Sequence, residues 1–104
     1  MNTVSASPTG FPTSSARLAR LTELVLNQVS HWSETRWGAL GDKLHDVIQR
    51  MAGSEHRVPR LGAMALPDQL RVIVADVLRE GDPTRIDAAR EFLADFRGTL
   101  KASQ

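Results

Sequence analysis

The chain has 104 residues, 41% hydrophobic and 24% charged, with a formal net charge of +1. That length supports one domain with its own core, and the near-neutrality, which holds within each half, gives no long-range bias toward nucleic acid or anionic lipid. There is no cysteine, so disulfides, thiolate metal sites and a cysteine nucleophile are excluded.

Residues 1–13, "MNTVSASPTGFPT", are rich in Ser, Thr and Pro and carry no charged side chain. Without a positive n-region or an apolar h-region they are not a secretory signal. The acid-poor start followed by Arg17 and Arg20 shares its composition with transit peptides, but a disordered tail explains it more simply. No apolar run approaches the length of a bilayer span. The expectation is a cytoplasmic protein with a single helical domain over 14–104.

A first helix is predicted near 15–31, with Ser14 or Ser15 as N-cap. Leu18, Leu21, Val25, Val29 and Trp32 recur at helical spacing. Leu24 and Leu26 fall on opposite flanks of that stripe, so the apolar arc is wide and needs cover on more than one side. One way to supply it is a second copy of the chain, which makes Leu24 and Leu26 candidate homodimer contacts.

The stretch "HWSETRW" holds both tryptophans of a chain with five aromatic residues. Within one continuous helix, rings five positions apart diverge by about 140°. With Ser33 as N-cap, Trp32 is N′ and Trp37 is N4, the two positions that a hydrophobic staple joins. The spacing is thus predicted to build a helix start, with Glu34 suited to the positive end of its dipole. The second helix spans about 34–52, although Gly38 and Gly41 leave room for a separate short turn over 33–39. Leu40, Leu44, Val47, Ile48 and Met51 form a narrow stripe opposite Lys43, Asp46, Gln49 and Arg50, which predicts a peripheral helix ending at Gly53.

Residues 54–65 have no sustained period and read as a loop tied to the core by Val58, Leu61 and Met64. The third helix, 66–80, has Pro67 near its start, Asp68 in the first turn and Gly81 as its stop. The fourth, 83–101, opens with Asp82 as N-cap and presents Ile86, Ala89, Leu93, Phe96 and Leu100 on one face. The fold class is therefore an all-α bundle of four main helices, with the first and third central and the other two covering them.

Function is less legible. His31, His45 and His56 are the only imidazoles. Asp42 and His45 lie one turn apart, but zinc needs three or four ligands. A surface histidine among solvated carboxylates explains the pair, so no metal and no cofactor are predicted. There is no phosphate-binding glycine loop, nucleophile elbow, Tyr or Cys to nominate an enzyme. The two helices over 66–101 resemble a helix-turn-helix in outline, yet the second mixes Asp87, Glu91 and Asp95 with Arg85, Arg90 and Arg97, whereas phosphate contact needs a positive face. One cluster is less balanced: Arg50, His56, Arg57 and Arg60 bracket the long loop with Glu55 opposing. These four are the candidate partner-binding residues.

The run "VPRLGAMALPDQLRVIVADVL", residues 58–78, resembles a stretch in small all-helical proteins of high-GC actinobacteria whose function is uncharacterised. The eleven arginines against two lysines agree with that source. The resemblance transfers no activity to any residue. The reading is a non-enzymatic protein-interaction or regulatory module with an unknown protein partner and a possible homodimer, the alternative being DNA binding through the 66–101 hairpin.

Overall fold

The computed structural model describes residues 13–102. The tail reading for residues 1–12 lies outside them. Four helices account for most of the chain: α1 (Ser14–Val29), α2 (Glu34–Ala52), α3 (Leu66–Glu80) and α4 (Pro83–Ala102), with a single 3-10 turn at Ala63–Ala65 leading into α3. There is no strand among the described residues.

Each helix starts and stops for a local reason. Thr13, rather than Ser14 or Ser15, caps α1: the Ala16 N–H donates to its Oγ1 at 3.1 Å. Ser33 caps α2 in the same way, accepting from the Arg36 N–H at 3.2 Å. Glycines 38 and 41 do not break α2, because the cost of a helical glycine, about 1 kcal/mol, is small against the burial of Leu40 and Leu44 on either side. Gly81 ends α3 in the left-handed conformation, at φ 71°, where a side chain would be strained. Asp82 then opens α4, accepting the Thr84 N–H at 3.0 Å. Two arginines satisfy carbonyls at the far ends of other helices. Arg85 Nη2 donates to the Met51 and Ala52 carbonyls at the end of α2, and Arg36 Nη2 to the Leu100 carbonyl in α4.

The staple is present. The Trp32 and Trp37 rings meet edge to face at 4.6 Å between centroids, Phe96 joins from α4 at 6.3 Å, and the Arg36 guanidinium lies over Trp32 at 5.8 Å. Both indoles are half-buried. This cluster fixes the end of the bundle where α1 hands over to α2.

The helix arrangement differs from the expectation. Helices α3 and α4 each pack on all three others, while α1 and α2 do not pack on each other despite their short connection. Ile86, Ala89, Leu93, Phe96 and Leu100 of α4 are all buried, so a helix with a narrow apolar face serves as a central one. That face, large residues apart from Ala89, packs on α1, α2 and α3. Leu26, read as a candidate dimer contact, is only 5% exposed. It belongs to the core, because α3 and α4 together cover the wide arc of α1. Leu24 is half-exposed.

Neighbouring residues give the helix directions. Gly41, in the first half of α2, lies beside Leu66 at the start of α3, and Ile48 and Ala52 near its end share a groove with Ile73 and Asp76. Helices α2 and α3 therefore run the same way. A parallel pair needs a crossover as long as the helix, about 28 Å for the 19 residues of α2, and this is why a loop as long as 53–65 stands inside a small domain.

Candidate functional site

The crossover loop runs back along α2, held by a polar stripe on that helix. Asp42, His45 and Gln49 stand at i, i+3 and i+7, one face of a helix. Gln49 Nε2 donates to the Gly53 carbonyl at 3.1 Å and the His56 carbonyl at 2.7 Å, and its Oε1 accepts the Val58 N–H at 2.8 Å. His45 Nε2 donates to the Val58 carbonyl at 3.1 Å, so Val58 is gripped at both of its backbone polar groups. Further along, Arg60 donates to Asp42 Oδ1 at 2.8 Å, and Gln69 of α3 donates to the Pro59 carbonyl at 2.9 Å. Each bond satisfies a main-chain group or an arginine that has no regular secondary structure to pair with.

His45 is not a surface histidine: it is 9% exposed, because the loop covers it. Gln49 does not belong to the solvated face of α2, since it is the main clasp of the loop. A pattern of one carboxylate, one imidazole and one amide at helical spacing carries no signal that a distant loop will lie across it.

Holding Val58 also sets the path of residues 59–65. Leu61 and Met64, expected to anchor the loop in the core, are instead 64% and 90% exposed, and Val72 on the facing side of α3 is 62% exposed. The 3-10 turn directs Met64 outward, while Leu66, two residues on, is buried. Between the loop and α3 lies a groove of about 700 Å³. Ile48, Ala52 and Ile73 are among its lining residues, with Val58, Leu61 and Val72 along the sides and Arg57, Arg79, Arg85, Asp68, Asp76 and Glu80 completing a charged rim. Several rim charges are paired locally: Arg79 with Asp76, Arg85 with Glu80, and Asp68 with Arg71 just outside the groove. The rim is thereby close to neutral, and the apolar lining sets its character.

The four basic candidates separate. His56 and Arg57 line this groove. Arg60 is turned to Asp42, and Arg50 pairs with Asp46 one turn away at 3.1 Å, beside a different depression between α2 and α4. What looks like a basic cluster in the sequence is thus only partly gathered: Arg57 and Arg60 share a depression beside His45 and Gln49, Arg50 lies apart, and Arg50 and Arg60 are each paired with a carboxylate. Sequence reasoning misses the exposure of Leu61 and Met64, whereas Val72 falls outside the apolar face of α3 by helical spacing and is exposed.

Among the described residues, no three His, Asp or Glu side chains are grouped to hold a metal ion, and no helix is long and apolar enough to cross a membrane. No family model, curated protein or solved structure matches the chain. The groove is therefore read from its own residues.

Proposed function

We propose that the protein is a non-enzymatic interaction module that binds a protein partner through the loop–α3 groove. The observation that carries this reading is the pair of exposed large apolar side chains that line the groove, Leu61 and Val72, with Met64 exposed on the same loop as Leu61. Single exposed apolar residues are ordinary, but neighbours around a concave, apolar-lined depression mark interaction surfaces. The loop that presents two of them is tied down by the Asp42–His45–Gln49 stripe, so little ordering entropy is lost on binding.

The alternative, DNA binding through α3 and α4, draws less support. A recognition helix must offer a positive exposed face to the major groove, whereas the exposed face of α4 carries Glu91, Ala94, Asp95 and Gly98. Of its arginines, Arg85 is occupied with the end of α2, and Arg90 and Arg97 are half-buried.

The test is a parallel pull-down from cells that natively hold the protein, with wild type and a Leu61→Glu, Met64→Glu double variant as baits. A protein retained by wild type and lost from the folded variant supports the groove. Equal recovery on both baits refutes it.

A further inference from the structure

The exposed ridge of α3 is complementary to itself. Asp68, Val72, Ala75 and Arg79 are all exposed, and their 4-3-4 spacing places them within about 60° of arc. Read along the helix, the ridge runs acid, apolar, small, base. Reversed, it runs base, small, apolar, acid. When two such ridges meet antiparallel across a two-fold axis between Ile73 and Val74, Asp68 of each faces Arg79 of the other, and Val72 of each faces Ala75 of the other. The 4-3 alternation is that of a helix-pairing seam, and alanine beside valine lets the helices approach closely.

Resting on the proposed interaction surface, we infer that its partner is a second copy of this chain, joined through an antiparallel α3–α3 contact. An isologous interface requires self-complementarity, and the ridge supplies it in charge and in shape. The present companion of Arg79, Asp76, stands one turn away on the same helix. Such an exposed pair is weak, so exchanging it for Asp68 of a second copy costs little. The same register carries the 90%-exposed Met64 toward the Gly81–Pro83 turn of the second copy, extending the contact beyond the two helices. This face is distinct from the Leu24 flank of α1, and Leu26 is enclosed in the core.

The register has a specific test. Asp68→Arg sets arginine against arginine twice in a homodimer, and Arg79→Asp sets aspartate against aspartate twice. In sedimentation equilibrium, wild type should dimerise, and each single variant should dimerise at least ~10-fold more weakly. Mixing the two variants should restore a dimer, because each altered residue then meets an opposite charge on the other chain. Both substitutions lie at exposed positions, and recovery on mixing shows that the separate chains were folded. Wild type that stays monomeric through the micromolar range overturns the inference, as does a dimer that neither variant weakens or variants that fail to recover on mixing. A monomer whose pull-down partner still depends on Leu61 and Met64 sinks the self-pairing alone and leaves the groove reading standing.

Discussion

Replacing Gln49 by alanine should release the crossover loop, and the size of the effect can be worked from its three hydrogen bonds. Two go to carbonyls, of half-exposed Gly53 and exposed His56, and water can take over much of each. The third is received from the N–H of half-buried Val58 at 2.8 Å, and a polar group left unpaired there costs about 1–3 kcal/mol. Alanine returns a few tenths of a kcal/mol through helix propensity. The net expectation is a loss of about 2 kcal/mol in urea unfolding, with faster amide exchange at Val58. Gln49→Glu separates the roles of the amide: it keeps an acceptor for Val58 but turns an oxygen toward the Gly53 and His56 carbonyls, so it should be at least as damaging as alanine. A Gln49→Ala protein within about 0.5 kcal/mol of wild type, with unchanged exchange at Val58, would show that the loop is held by its own packing and refute the clasp.

Ser33→Ala should cost about 1 kcal/mol by removing the α2 cap, while Ser33→Asp should be tolerated, as thermal unfolding of the pair would show. Leu93→Ala should cost about 3 kcal/mol in chemical denaturation, because Leu93 is fully buried on the central helix α4. Arg85→Met keeps most of the stem but frees the Met51 and Ala52 carbonyls; a loss of about 1 kcal/mol, with faster exchange in the last turn of α2, is the expected result. Leu61→Glu and Met64→Glu should each leave stability within about 0.5 kcal/mol, and a larger loss would return those residues to the core.

The sequence alone determined the helices. Periodicity marks the core faces, and short-range signals mark the ends: Ser33 before α2, Pro67 and Gly81 around α3, and Asp82 before α4. These depend on residues within one or two turns, so a linear reading contains them. The Trp32–Trp37 contact was legible for the same reason. Tertiary structure decided everything that depends on what lies across from a side chain. It placed α3 and α4 at the centre and closed Leu26 into the core, since the width of an apolar arc does not say which helices will fill it. It made His45 and Gln49 the anchors of the loop, because a polar side chain on a helix looks the same whether it faces water or a distant main chain. It also set Arg50 apart from His56, Arg57 and Arg60, and left Leu61 and Met64 outside. Hydrophobicity tells which residues gain by leaving water, but only the packed arrangement decides which of them find room to do so.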